Sequence, residues 1–176
     1  MRRVSVVGVS GSGKSTLGRE LAACLAVPYA ELDAIFHQPD WAPLAEDQFR
    51  SRVNGVASGD GWVIDGNYSA VQPLVWERAD TVIWLDLPRR SVMRRIIWRT
   101  IRRAACRTEL WNGNRERWRN LFTWDEQESV IAWAWHRHAI YRERYTAAAR
   151  DSAYSHLTFT RIATRADRRQ LLESIR

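Results

Sequence analysis

Short apolar runs alternate with helical periodicities along most of the chain. Val4–Val9 is a β-branched run carrying Gly8 near its end, which reads as a buried parallel strand. Leu17, Leu21 and Leu25 then recur at i, i+4 and i+8, predicting a helix from Lys14 to Ala26 that Pro28 stops. Tyr29–Leu32 predicts a second strand ending at Asp33. Glu46 to about Ser58 predicts a helix, broken at Gly59-Asp60-Gly61. Trp62–Ile64 is a third predicted strand, ending at Asp65, and Thr81–Leu85 a fourth, ending at Asp86. Pro88 opens a long helix that runs to about Ala105. A polar, lid-like segment follows from about Arg107 to Asp125, then a helix from about Glu126 to Arg150. Leu157–Thr160 is the fifth strand and Asp167–Ile175 a closing helix.

Five short apolar strands alternating with helices predict a three-layer α/β fold, with a parallel sheet covered on both faces. The 176 residues fit a single domain. Such sheets bind ligands beyond the carboxyl ends of their strands, where Gly8, Asp33, Asp65 and Asp86 all fall.

Charge sharpens this picture. The overall net charge is +7, which suggests an anionic partner. From Arg89 to Arg119 eleven arginines face two acids, Glu109 and Glu116, a net +9 that leaves the remainder at −2. The chain is therefore basic in one segment only. Cys24 and Cys106 form no metal-binding spacing and read as ordinary thiols. No apolar run approaches the roughly 18 residues of a membrane span. The apolar run after Met1-Arg2-Arg3 is too short for a secretory signal, so the expected location is the cytoplasm.

The sharpest motif is Gly8-Val9-Ser10-Gly11-Ser12-Gly13-Lys14-Ser15, a G-x-x-x-x-G-K-[ST] phosphate loop lying between a strand and a helix. Gly8, Gly11 and Gly13, with Ser10 and Ser12 between them, let backbone amides point inward, and the following helix aims its positive end at the same place. ATP with Mg2+ is the expected cofactor. Lys14 would reach the β- and γ-phosphates, Ser15 would offer its hydroxyl oxygen to magnesium, and Thr16 would bond near the α-phosphate. Lys14 is the only lysine beside 26 arginines. A narrow ring of amides suits a flexible point charge better than a planar fork.

Magnesium needs carboxylate help. Asp65 is preferred because Gly66 leaves room beside it; Asp86 precedes Leu87-Pro88 and fits a helix cap as well. Asp33 faces the expected acceptor side. It reads either as the group that orients or deprotonates an attacking hydroxyl, or as a helix cap or solvated loop acid. His37 reads as a surface or gating residue. Arg95 and Arg99, four apart, share one helical face that Arg102 and Arg103 extend, a candidate clamp for the charge of phosphoryl transfer. Arg103 and Arg107 stand behind them as weaker candidates, and the remaining arginines read as a solvated face. Trp111, Trp118, Trp124, Trp133 and Trp135 read as packing residues before base-stacking ones.

These residues resemble the nucleoside monophosphate kinase branch of the P-loop proteins. The stretch Ala79 to Pro88 followed by Arg95 and Arg99 is similar in spacing to adenylate kinase, whose equivalent arginines lie in the lid and contact the phosphates. Trp62 to Gly66 is similar to the strand whose Asp-Gly holds the magnesium shell. The resemblance also implies that Ala163-Thr164-Arg165 borders the adenine. A closer match, over Tyr29–Asp33, Pro39–Trp41 and Gly61–Tyr68, is to the adenylate kinase-like bacterial family of DNA topology modulation proteins. It spans Val4 to about Arg107 well and the remainder loosely. Adenylate kinases follow Asp-Gly with Phe-Pro-Arg, whose arginine binds the acceptor phosphate; Asn67-Tyr68-Ser69 stands here instead. The Thr-Gly and arginine after their second strand are replaced as well, by Asp33. An Asp at that place resembles shikimate and gluconate kinases, which phosphorylate hydroxyls.

The sequence therefore predicts an ATP- and magnesium-dependent P-loop kinase acting on a nucleotide or a hydroxylated small molecule. The alternative is a regulatory nucleotide-binding protein that acts on DNA through its basic segment. Nucleic acid is the less favoured partner, and no membrane is expected.

Overall fold

A computed structural model describes residues 1–106, 109–114 and 130–175. Its centre is β1 (Arg3–Gly8), a strand whose residues from Val4 to Gly8 are all buried. It pairs in parallel with β3 (Trp62–Asp65) on one side and β4 (Thr81–Leu85) on the other. β2 (Tyr29–Glu31) extends the sheet beyond β3, and β5 (Thr158–Ile162) extends it beyond β4, giving the order β2-β3-β1-β4-β5, all parallel. Alternate residues of a strand face opposite sides. Val4 and Val6 of β1 join Val63, Ile83 and Ile162 in a core closed by Leu17 and Leu21 of α1 (Lys14–Leu25) and Leu171 of α7 (Arg165–Glu173).

On the opposite face Val7, Ile64, Val82 and Trp84 meet four further helices. Phe49 and Val53 come from α3 (Glu46–Ala57), and Val75 and Trp76 from α4 (Gln72–Arg78). Val92 and Ile96 come from α5 (Arg89–Ala105), and Tyr141 and Tyr145 from α6 (Val130–Ala148). The three predicted layers are thus present. Trp62, Trp76 and Trp84 are core residues rather than surface stackers.

The structure departs from the sequence reading at several element ends. β2 stops at Glu31, one residue before the predicted end, and buried Leu32 opens a short helix, α2 (Leu32–Phe36). Asp33 therefore lies in the first turn of α2 rather than at the strand terminus. α4 was not anticipated. β5 begins and ends later than predicted, and α7 begins two residues earlier, on a capping box between Thr164 and Asp167. The start of the predicted long helix, Glu126 to Ser129, lies outside the described residues, as do Arg107, Trp118 and Trp124. Among the described residues no helix is long and apolar enough to cross a membrane.

Asp86 ties three elements together. It follows β4, its amide donates to Ile162 O of β5 at 2.9 Å, and its carboxylate is buried. Oδ2 accepts from Arg161 Nε at 2.8 Å and Nη2 at 2.5 Å, and meets Arg142 Nε of α6 at 3.1 Å. Both arginines are about half exposed and can turn to water when the acid is removed. Asp86→Ala should therefore cost about 1–3 kcal/mol, the scale of lost charge-assisted hydrogen bonds rather than of a stranded buried ion. Urea unfolding followed by circular dichroism measures it; unchanged stability would contradict the tie.

Candidate active site at the carboxyl edge of the sheet

Beyond Gly8 the chain turns through the loop and enters α1 at Lys14. Gly11 and Gly13 adopt positive φ, 79° and 100°. At Gly11 space is the second constraint: a Cβ there would lie 3.0 Å from Ile96 Cβ and 3.3 Å from Val92 O, because α5 packs directly on the loop. At Gly13 the surroundings are open, and conformation alone demands glycine. The amino end of α1, with its unpaired amides, opens into the concavity of the loop. Ser12 Oγ is buried there and has no hydrogen-bond partner among the described residues.

Two α5 arginines grip the loop from above. Arg95 Nη1 donates to Ser12 O at 3.3 Å and Arg99 Nη2 to Ser10 Oγ at 3.2 Å, so the predicted shared face is present and points at the loop. Burial lowers the pKa of Arg95, and the neighbouring charges of Arg165, Arg168 and Arg94 add to the effect. Arg165 itself is exposed at the start of α7 and is not among the residues lining the cleft, whereas Arg103 is.

Carboxylates approach from the other side. Lys14 Nζ rests 3.4 Å from Val9 O. Burial lowers its pKa, while Asp65, Asp33 and Glu31 pull it back up and Arg99 lowers it further. Asp65 is only 1% exposed, and its Oδ2 accepts from Tyr29 OH at 2.6 Å. Burial pushes its carboxyl up to about 6, against the lowering influence of Lys14 and the Tyr29 hydroxyl. Ser15 Oγ donates to Glu31 Oε1 at 2.8 Å, and Arg19 Nη2 donates to Glu31 Oε2 at 3.0 Å. Glu31 escaped the sequence reading; it is the last residue of β2, two positions before Asp33 in the first turn of α2. Thr16 lines the same cleft and is exposed.

The other end of the cleft is built from α2 and from the turns after β3 and α5. Tyr68 OH donates to Asp33 Oδ1 at 2.7 Å and lies 3.4 Å from His37 Nε2. The single Tyr68 proton goes to the carboxylate, which makes His37 Nε2 the donor of the longer contact. Burial lowers the pKa of His37 and raises that of Tyr68. Trp111, in the described part of the predicted lid, stacks on His37 with centroids 6.1 Å apart and planes at 20°. Asn112 Nδ2 donates to His37 O at 2.5 Å, while Asn114 accepts from Trp41 N at 2.9 Å and donates to Gln38 O at 2.9 Å. Residues 109–114 are thus clasped to the segment after Asp33. One cleft of about 1460 Å³ joins the loop to this end and is also lined by Arg137, Tyr141 and Arg144 of α6.

No family model matches the chain. The shikimate kinase of Mycobacterium avium is 32% identical over 111 residues, covering 55% of this chain and 63% of that protein; the shikimate kinase of Mycolicibacterium paratuberculosis matches to the same extent. The match thus spans less than two thirds of these curated relatives. Among solved structures, a shikimate kinase from Bacteroides thetaiotaomicron superposes with a TM-score of 0.55 at 16% identity, over 99% of this chain and 95% of the other. A shikimate kinase from Acinetobacter baumannii in complex with shikimate gives 0.52 at 20%, over 99% and 90%. The fold is the shikimate kinase-like P-loop fold. These similarities lend nothing to a role in DNA topology.

The raised carboxyl of Asp65 makes a prediction with a definite sign. The folded state holds this proton more tightly than the unfolded chain, whose ordinary value is 3.8. The stability it contributes is fully present below about pH 4 and is lost as pH rises through about 6, on the order of 2–3 kcal/mol. Urea unfolding in a chelator, from pH 4 to 8, should show this loss in wild type and not in Asp65→Asn. Parallel pH profiles for the two proteins would contradict it.

Proposed function

We propose that this protein is a kinase that moves the terminal phosphoryl group of ATP, with magnesium, to a hydroxyl of a small anionic metabolite. The observation that carries the reading is Asp33, fixed by the Tyr68 hydroxyl at the acceptor end of the cleft whose other end is the phosphate loop.

The donor half fits a magnesium nucleotide. Gly8, Gly11 and Gly13 shape the loop, Ser10 and Ser12 lie within it, and the buried Ser12 hydroxyl, without a partner among the described residues, is a donor that a phosphate oxygen would satisfy. Lys14 meets the β- and γ-phosphates and Thr16 the α-phosphate. Ser15, Asp65 and the newly found Glu31 would hold magnesium and its waters; the high carboxyl of Asp65 marks a buried acid that the protein's own cations do not fully compensate. When bound, magnesium neutralises charge on the β- and γ-phosphates. Arg95 and Arg99 stabilise the charge on the equatorial oxygens of the group in transit. Arg165 would lie at the adenine edge.

On the acceptor side, the attacking hydroxyl forms the new P–O bond while its proton passes to the Asp33 carboxylate, and ADP leaves with the electron pair of the broken bond. Tyr68, its pKa raised, stays a hydrogen-bond donor and keeps Asp33 aimed. An acceptor phosphate is poorly served here, because Asp33 and Asn67-Tyr68 occupy the places of the cations it needs. Two like charges 4 Å apart cost about 4 kcal/mol at an effective dielectric of 20. Arg137 and Arg144 line the same cleft and fit an anionic group elsewhere on the acceptor. The DNA-binding reading loses force because three arginines of the basic segment act within the protein: Arg95 and Arg99 on the loop, and Arg89 over Trp135 at 3.4 Å from its centroid.

Two measurements test this. Release of ADP from ATP is followed with shikimate, gluconate, other hydroxy acids and AMP. A hydroxy acid should stimulate release, and Asp33→Asn should lower kcat by about 10²–10⁴. AMP phosphorylation within tenfold of a typical kinase rate of about 1–100 s⁻¹, untouched by Asp33→Asn, would contradict the acceptor assignment. In a magnesium titration, Asp65→Asn should raise the metal requirement about tenfold or more while Asp86→Asn leaves it near wild type; equal shifts would reverse the metal assignment.

A further inference from the structure

Asn67 and Tyr68 are adjacent in sequence, yet their side chains secure opposite ends of the cleft. Asn67 Nδ2 donates to Gly8 O at 2.6 Å and Asn67 Oδ1 accepts from Gly8 N at 3.1 Å. Tyr68 OH reaches Asp33 at 2.7 Å. Both contacts join residues far apart in the chain, 59 and 35 positions.

The reason for an amide at position 67 lies in the sheet. β1 and β3 stay in register only as far as Val6 opposite Asp65, and Gly66 N then donates to Val6 O at 3.2 Å. Two residues on, the N–H and C=O of Gly8 point to the same side, where β3 has already ended. The side-chain amide of Asn67 presents an N–H donor and its C=O acceptor side by side, so it meets both backbone groups of Gly8 where β3 has ended. Tyr145 OH of α6 also reaches Asn67 Oδ1, at 3.1 Å. The last strand residue before the phosphate loop is thus fully hydrogen-bonded.

The backbone that carries the pair is held on both sides. Gly66 has a φ of 144°, and a Cβ there would meet Leu32 at 2.7 Å. Tyr68 O accepts from Val71 N at 3.3 Å and Gln72 N at 3.0 Å at the start of α4. The Tyr68 ring packs between Phe36 at 4.8 Å and Phe49 at 5.1 Å, so its hydroxyl has little freedom to leave Asp33.

We propose that Asn67 and Tyr68 form a bracket that sets the position of the phosphate loop relative to Asp33: Asn67 positions the donor loop through Gly8, and Tyr68 positions the acceptor carboxylate. Neither is a catalytic residue. Because one peptide unit joins the two anchors, the spacing between donor and acceptor is built into the turn after β3. This rests on the kinase reading above.

The donor arm is tested by calorimetry with MgADP, which needs no acceptor. Asn67→Ala should weaken MgADP about tenfold or more, whereas Tyr68→Phe should stay within twofold of wild type. Tyr145→Phe, which removes only the hydroxyl touching Asn67, should give a smaller loss of about two- to fivefold and stands in if Asn67→Ala folds poorly by circular dichroism. The acceptor arm is read from kinetics with the hydroxy acid that stimulates ADP release. Tyr68→Phe should lower kcat tenfold or more at unchanged KM for ATP, and should cost nothing further in an Asp33→Asn background. Wild-type MgADP affinity in both Asn67→Ala and Tyr145→Phe, or an equal Tyr68→Phe loss in both Asp33 backgrounds, would overturn the bracket. A wild-type protein that fails to bind MgADP would instead strike at the kinase reading.

Discussion

Lys14 is one amine set among three acids, Asp65, Asp33 and Glu31, and the rest of the site is arranged around that imbalance. The acids meet there because the strands are parallel and end at one edge of the sheet. β3 delivers Asp65, while the end of β2 and the first turn of α2 deliver Glu31 and Asp33. Burial works against the charges of Lys14 and Asp65, lowering the pKa of the first and raising that of the second. Neutral donors share the load: Tyr29 holds Asp65, Ser15 holds Glu31 and Tyr68 holds Asp33. A cationic partner entering beside Ser15 would relieve the acids, and an anionic one entering the loop would engage Lys14 and the α5 arginines.

Charge is thereby sorted across the cleft. Glu31 and Asp33 line the cleft on the β2 side and Arg95, Arg99 and Arg103 on the α5 side, with the glycine loop between them. Ile96 packs close to Gly11, so α5 carries Arg95 and Arg99 onto the loop while touching it. A strongly basic helix is thus tied to the interior of the fold at one face. Its outer face keeps exposed Trp98, Ile97 and Ile101 among arginines.

The loop, the five strands and the long α5 were legible because each rests on a local pattern. β-Branched runs mark buried parallel strands, and the spacing of the motif fixes Gly11, Gly13, Lys14 and Ser15 by chemistry alone. α4 was missed because seven residues with a proline in the first turn give too short a periodic window. Glu31 was missed through a one-residue error: Leu32 was counted into β2, so the strand-end position fell to Asp33 instead of Glu31. Its role comes from a contact with Ser15, sixteen residues away, which spacing does not reveal. Asn67 and Tyr68 were visible only as departures from adenylate kinase. What they do instead depends on hydrogen bonds to Gly8 and Asp33 that exist once the sheet is assembled. Asp86 shows the opposite case, a strand-end acid whose sequence context resembled a metal ligand or a cap, and which the fold engages with Arg142 and Arg161.

The central claim is that the glycine loop and Lys14 hold the phosphates of a magnesium nucleotide. Calorimetric titration of wild type and Lys14→Ala with MgATP tests it most directly, with circular dichroism confirming that both proteins are folded. The account predicts saturable one-to-one binding by wild type and a loss of about tenfold or more in the variant, at least the 1.4 kcal/mol that a charge-assisted contact supplies. Equal MgATP affinity in a folded Lys14→Ala protein, or no binding by wild type, would contradict it.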